Sequence, residues 1–214
     1  MDEADLLQEF HVSAPEQATS SASKIEVLPL LPLDIKFNDW QYISEGTHAE
    51  IYRVRDAETG VPFCMKLFRQ GWVTPFNLEK RAYEYLQHAE VEGCIPKVYG
   101  YGYRTLLEWG LAKAKNDSAK YNAIVMEWLE DAEQLSAENI TVSSAIQLIE
   151  GLYRIHEAGL THYDIYRRNM LVLPKENRGV WIDFSCAHIN EKAINAQELR
   201  SAISSIMQTV HSLI

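Results

Sequence analysis

Positive charge is in short supply in this sequence. Its 214 residues carry 20 Lys and Arg against 30 Asp and Glu, a formal charge of -10. Such a balance has little to offer a polyanion, whose counterions are released by clustered cations. Neither nucleic acid nor an anionic membrane surface is therefore expected as a partner. Cysteine is scarcer still. Cys64, Cys94 and Cys186, an odd number with no C-x-x-C pair, make neither a disulfide framework nor a zinc site and point to a reducing compartment. No apolar run approaches the ~20 residues of a membrane-spanning helix. The opening MDEADLLQEF is acidic where a secretion signal needs a basic start. A cytoplasmic protein is the expectation, with the nucleus as the other compartment that fits.

What is present suffices for a core, since 47% of the residues are hydrophobic. The first segment, through residue 33, begins acidic, turns rich in Ser, Ala and Gln, and ends in the Pro-interrupted IEVLPLLPL; it is expected to be a mobile tail followed by an extended stretch. From Trp40 the pattern becomes strand-like. WQYISEG, EIYRVRDAETG and VPFCMKLF read as an antiparallel meander, with DAETG as the turn between the last two. In TPFNLEKRAYEYLQH, Thr74 is expected to cap a helix whose first residue is Pro75. IPKVYGYGY and YNAIVMEWLE read as further strands around the polar loop KAKNDSAK. A buried helix follows, with Ala145, Leu148, Ile149, Leu152 and Ile155 at helical spacing and Gly159 closing it. The short strands MLVLP and GVWIDF and a last helix from about Asn195 to His211 complete the chain. The fold class expected is α+β, an antiparallel sheet first and helices after it.

The chemistry is carried by few residues. In FCMKLF the two-residue period places Cys64, Lys66 and Phe68 on one face and Phe63, Met65 and Leu67 on the other. A lysine on a partly buried face needs an anion, either a carboxylate or a ligand phosphate. Glu79, Tyr83 and Leu86 share a helix face, so Glu79 points where the apolar residues point, whereas Glu84 is expected on the far side within reach of Lys80. A structural Lys66–Glu79 pair and two solvated charges are both open readings. In THYDIYRRNML, Asp164 and Asn169 occupy a loop after the buried helix, and Asp183 ends an apolar strand in WIDFS. Two carboxylates and an amide at such ends are the oxygen ligands Mg²⁺ takes together with phosphates, although a lone Asp there also serves as a turn cap.

Taken in order, strand Lys, helix Glu, H-x-D-x-x-x-x-N and then D-F, these residues resemble the protein-kinase-like superfamily. His162, Asp164 and Asn169 match the catalytic loop, Asp183 and Phe184 the D-F-G segment, and Lys66 the lysine of V-A-I-K with Glu79 as its partner. SEGTHAEIYRV resembles a worn Gly-rich loop that keeps Gly46, and IVMEWLE resembles the hinge, with Met126 as gatekeeper. The resemblance runs from about Trp40 to Ala187. It implies a bilobal fold, with an N-terminal lobe over about residues 34–129 and a minimal C-terminal lobe over about 130–214. It also implies ATP as phosphoryl donor and Mg²⁺ as cofactor. Asp164 would orient the attacking hydroxyl, Lys66 would hold phosphates, and Asn169 and Asp183 would bind metal. Ile51 and Cys64 would cover the adenine from above and Leu171 from below, with the backbone of Glu127 and Leu129 at its edge; for Ile51, Cys64 and Leu171 ordinary core is an equal reading. His162, Phe184 and Tyr83 resemble the stacked spine between helix and loop.

The departures shape the functional expectation. Tyr163 stands for the arginine of H-R-D, Ser185 for the glycine of D-F-G, and Tyr166 where Ser/Thr kinases carry lysine; no A-P-E follows. Arg167 and Arg168 read equally as helpers at the γ-phosphate and as surface charge. The pattern is similar to small fungal-type and atypical kinase-like proteins with a shortened second lobe. An Mg²⁺-ATP-dependent kinase acting on Ser or Thr of a protein is the first expectation. A small-molecule kinase of sugar, choline or aminoglycoside type and a nucleotide-binding pseudokinase serving as an interaction module are the alternatives.

Overall fold

A computed structural model of the chain describes residues 35–111, 118–189 and 195–211. The expected N-terminal tail and extended segment, and most of the polar loop from Lys113, lie outside the described residues. The architecture is α+β. Five antiparallel strands, β1 (Phe37–Glu45), β2 (Ala49–Asp56), β3 (Pro62–Phe68), β4 (Val98–Thr105) and β5 (Lys120–Glu127), form one sheet in the order β1-β2-β3-β5-β4. Helix α1 (Val73–His88) connects β3 to β4. After β6 (Glu133–Gln134) come α2 (Val142–Glu157), β7 (Leu160–Thr161), a 3₁₀ turn (Arg167–Asn169), β8 (Met170–Leu173), β9 (Arg178–Trp181), β10 (His188–Ile189) and α3 (Ala196–His211). Strands β6, β8 and β9 make a second small sheet, and β7 pairs with β10. The two-residue strands β6, β7 and β10 are too short to leave a period in the sequence.

The alternation along β3 decides what each side of the main sheet covers. Met65 and Leu67 join Phe37, Val54, Trp109, Ala123 and Val125 in one cluster, while Phe68 and Cys64 face the larger core with Phe76, Tyr83 and Leu86 of α1. Lys66 lies on this second face and is only 7% exposed. The larger core continues through Leu148, Leu152 and Ile155 of α2, Met170, Val172 and Trp181 of the β8–β9 hairpin, and Ala202 and Ile206 of α3. No helix among the described residues is long and apolar enough to cross a membrane.

Two local expectations are corrected. Helix α1 starts two residues earlier than expected, at Val73 instead of Pro75, with Trp72 in place of Thr74 as a cap that makes no side-chain hydrogen bond. Pro75 still falls within the first turn, where a missing N–H costs no intrahelical bond, so nothing forced the start to Pro75. Glu84 is buried, not outward: it lies 3.6 Å from Lys80, whose ammonium sits 4.0 Å from the centre of the Tyr101 ring on β4. The helix covers β4 as well as β3, and its buried strip is wider than the apolar stripe in its sequence.

Helix α2 is well specified at both ends. Ser144 N donates to Thr141 Oγ1 at 3.1 Å and Thr141 N to Ser144 Oγ at 2.9 Å, a reciprocal cap. Gly159 takes φ +88° just past the other end, as expected. Close approach locks the helix against β9. An added Cβ would come 2.6 Å from Cys94 Cβ at Gly151 and 2.6 Å from Leu148 Cγ at Gly179. Trp181 donates from Nε1 to Leu148 O at 2.7 Å and from its backbone N to Cys94 O at 2.8 Å. Strand β9 thereby carries Asp183, two residues past its end, from a fixed base.

Candidate functional site

A cavity of about 620 Å³ opens between the β1–β3 and β5 side of the main sheet and the loops around Asp164 and Asp183. Each site residue expected from the sequence lines it: Gly46, Ile51, Cys64, Lys66, Glu79, Met126, Glu127, Leu129, Asp164, Asn169, Leu171 and Asp183. Arg168, Ser185 and Cys186 line it as well.

At the inner end, Lys66 Nζ sits 2.7 Å from Glu79 Oε2 and 2.8 Å from Asp183 Oδ1. The Lys66–Glu79 alternatives are thereby decided in favour of a buried pair. Burial works against the ammonium charge, but the carboxylates of Glu79 and Asp183 outweigh it and hold the Lys66 pKa above its ordinary value. Burial likewise pushes Asp183 upward, yet Lys66 and the Ser185 N–H bring its carboxyl down to about 2. Glu79 goes the other way: buried with no exposed surface, it is pushed up to about 7 against the pull of Lys66. Asp183 takes φ +62°, a left-handed backbone that Asp tolerates better than most residues.

Glu79 therefore leaves a mark on stability. A carboxyl whose folded pKa is raised from 4.5 to about 7 holds more protons folded than unfolded, so its contribution declines as pH rises through that window. The melting midpoint of the wild type relative to Glu79→Gln is expected to fall by roughly a few degrees between about pH 4.5 and 7. Parallel thermal melts of both proteins across that range check it, and curves of the same shape would remove the assignment. Asp183 behaves oppositely, losing its stabilising share only as pH drops from 3.8 toward about 2.

The outer end is the loop from His162 to Asn169. Its geometry is set by the imidazole of His162, which is buried and held neutral because burial lowers its pKa. His162 Nε2 donates to Ile182 O at 3.0 Å, and Nδ1 accepts from Asp164 N at 3.3 Å. One ring thus ties the backbone beside Asp183 to that of Asp164. The Phe184 ring packs tilted at 4.7 Å from His162 and edge-on at 5.2 Å from Tyr83, so ring contacts run without a break from α1 to the loop. Asn169 donates through Nδ2 to Asp164 Oδ2 at 2.6 Å and to Asp164 O at 2.9 Å, which turns its amide oxygen elsewhere. Arg168 Nη2 reaches both Asp164 oxygens, at 2.8 and 3.1 Å. Of the two readings for Arg168, the structure shows its side chain paired with the Asp164 carboxylate rather than standing as isolated surface charge.

The roof and the apolar end carry further constraints. The β1–β2 turn is clamped from below: Arg69 Nη1 donates to Gly46 O at 3.1 Å and Thr47 O at 3.2 Å, and Arg69 N to His48 O at 2.9 Å. A Cβ added at Gly46 would meet only Ala49 O, at 3.9 Å, so the fold itself does not demand glycine there. At the opposite end, Glu127 N donates to Lys97 O at 2.8 Å. The expectation that the Glu127 backbone is free narrows accordingly to its carbonyl. Leu129 uses its carbonyl on Ala132 N at 3.3 Å, and its N–H has no partner among the described residues. Burial pushes the Cys64 thiol up to about 12, which makes it an inert wall, whereas Cys186 is exposed at the rim.

One functional residue escaped the sequence reading. Glu198 on α3, 7% exposed, accepts from Tyr163 N at 2.5 Å, His162 N at 3.1 Å and His156 Nε2 at 2.6 Å. It anchors the backbone of the loop just where Tyr163 takes φ +61°, an unfavourable state for an aromatic residue. Burial raises its pKa, but the bonds from His156, Tyr163 and His162 more than offset this and leave it below the ordinary carboxylate value. The available signal was spacing: Glu198, Ala202, Ile206 and Thr209 form one buried helical stripe with an acid in its first turn.

No group of three His, Cys, Asp or Glu able to hold a metal is found among the described residues. The oxygen donors at hand are the second carboxylate oxygen of Asp183 and the amide oxygen of Asn169, with the ammonium of Lys66 beside them. This set is too small for a dedicated protein cage, and it fits a hard cation that keeps waters and takes phosphate oxygens, as Mg²⁺ does. No protein-family model matches this sequence, and no curated protein matches it.

Proposed function

We propose that the protein is an Mg²⁺-ATP-dependent phosphotransferase on a small, bilobal, protein-kinase-like fold, transferring the γ-phosphoryl group of ATP to a hydroxyl, that of Ser or Thr in a protein. The observation that supports this best is the contact chain Glu79–Lys66–Asp183, which faces Asp164 and Asn169 across one cavity. Phosphoryl transfer asks for positioning and charge neutralisation more than for covalent chemistry, and these five side chains offer both. Lys66, oriented by Glu79, would hold the α- and β-phosphates. Asp183 and Asn169 are the residues that would hold Mg²⁺, which supplies neutralisation of the phosphate oxygens when bound. Asp164 would take the proton of the attacking hydroxyl as its oxygen bonds to the γ-phosphorus and the bond to the bridging oxygen breaks, ADP leaving with that electron pair. Ile51, Cys64, Met126 and Leu171 offer an apolar slot for a purine, with the Leu129 N–H and Glu127 carbonyl at its edge. The open space at Gly46, which the fold does not require, suits close approach of phosphates.

A thermal melt with and without Mg²⁺-ATP tests this reading. At a hundredfold excess over Kd the nucleotide should add about 2.7 kcal/mol of stability, a rise that chelation of the metal or Asp183→Ala should remove. Absence of any rise in the wild type would leave the interaction-module reading in its place.

A further inference from the structure

We infer that the acceptor hydroxyl belongs to a peptide segment flanked by acidic side chains, seated on Tyr163, Tyr166 and Arg167; this rests on the phosphotransferase reading above. Tyr163 and Tyr166 are each 57% exposed and lie on either side of the reactive carboxylate in the loop. Both rings are held: Tyr163 packs edge-on against His188 at 5.2 Å, and the Arg168 guanidinium lies 4.3 Å from the centre of the Tyr166 ring. Fixed aromatic rings left in water provide contact area at low entropic cost, as recognition surfaces do.

Charge gives the surface a sign. Arg168 is bound to Asp164, and the two charges cancel. The Arg167 side chain is exposed and makes no ion pair or hydrogen bond among the described residues, although the chain carries 30 acids for 20 bases. A free cation next to Asp164 attracts an anionic acceptor locally, against the protein's overall charge of -10, and disfavours a cationic one at that spot. Two rings set three positions apart along the loop suit an extended chain better than a compact single-ring alcohol. Acidic side chains beside the accepting Ser or Thr would then meet Arg167.

Steady-state transfer from Mg²⁺-ATP to three matched Ser peptides, flanked by Glu, Ala or Lys, tests the inference on the full chain. The Glu-flanked peptide is expected to exceed the Ala-flanked one in kcat/KM by about fivefold or more, with the gap shrinking in salt. Arg167→Glu should reverse the order, and Arg167→Lys should keep it. Transfer that ignores the flanks or prefers Lys would overturn the acidic acceptor and leave the phosphotransferase standing. A nucleotide-dependent rise in melting temperature with no transfer to any peptide would also overturn it, in favour of a small-molecule acceptor. Neither rise nor transfer would remove both readings.

Discussion

Asp164→Asn should lower phosphoryl transfer about 10³-fold, within the range usual for loss of a positioned base, while the stabilisation by Mg²⁺-ATP stays close to that of the wild type. The substitution is nearly isosteric and removes one acceptor. Asp164 now receives Asn169 Nδ2 at 2.6 Å and Arg168 Nη2 at 2.8 Å; an amide can accept from only one side and would turn its own NH₂ toward the other donor. The loop should nonetheless stay in place, because its backbone is held by the His162 ring and by Glu198 and not by the Asp164 side chain. The loss should therefore fall on kcat, with KM for ATP little changed, as for an interaction made chiefly in the transition state. Lys66→Met provides the contrast: it removes the cation proposed to hold the phosphates and strands Glu79, so nucleotide binding should weaken together with the rate. Steady-state kinetics paired with nucleotide-dependent melts separate the two roles. An Asp164→Asn protein that retains a tenth or more of wild-type activity would take Asp164 out of the chemistry.

Much of the site was legible because it obeys two periods. Alternation along FCMKLF placed Lys66 on the cavity face, and the i, i+4, i+7 stripe placed Glu79 there too; the 2.7 Å contact follows from those two facts and from the packing of α1 on the sheet. The contact of Lys66 with Asp183, 117 residues apart, was not legible from spacing, and the resemblance in motif order placed both in one site without joining them. Misreadings arose where the backbone, which every residue shares, or packing from a neighbouring element decided the outcome. Glu127 looked available until its N–H proved to be paired with Lys97 O. Thr74 and Pro75 carried a start signal, but a helix tolerates proline anywhere in its first turn, and the helix begins at Val73 behind Trp72. Glu84 read as outward because a charged side chain interrupts the stripe, yet Lys80 and Tyr101 bury it. Glu198 serves backbone N–H groups of a distant loop, and only its place in an apolar stripe hinted at that.

Glu198 is where the largest stability effect is expected. Its two oxygens receive three buried or half-buried donors from α2 and the loop, so Glu198→Ala would leave His156 Nε2 and the backbone N–H groups of His162 and Tyr163 without partners. Removing one side of a buried charged network costs roughly 3–5 kcal/mol, enough to lower the melting midpoint by about 10 °C or more in a chain of this size. Glu198→Gln should be milder for folding and still harmful to transfer, because its NH₂ must face one of those donors and push it away. The N–H most exposed to this is that of Tyr163, whose left-handed backbone has no other support from α3. If Glu198 only staples α3 to α2, the Gln variant will lose stability and keep its rate once folded. If it sets the loop, kcat will fall while KM for ATP holds, and the Tyr163 amide will exchange with solvent faster than its neighbours in β8. Low pH should reproduce the effect without mutation: a carboxyl held below its ordinary value of 4.5 contributes stability that is full above that pH and disappears as pH falls through the lower folded value. A wild type that loses loop protection in acid while β8 remains protected, with that loss absent from Glu198→Gln, would place the sensitive group at Glu198 and make α3 the support on which the Asp164 loop rests.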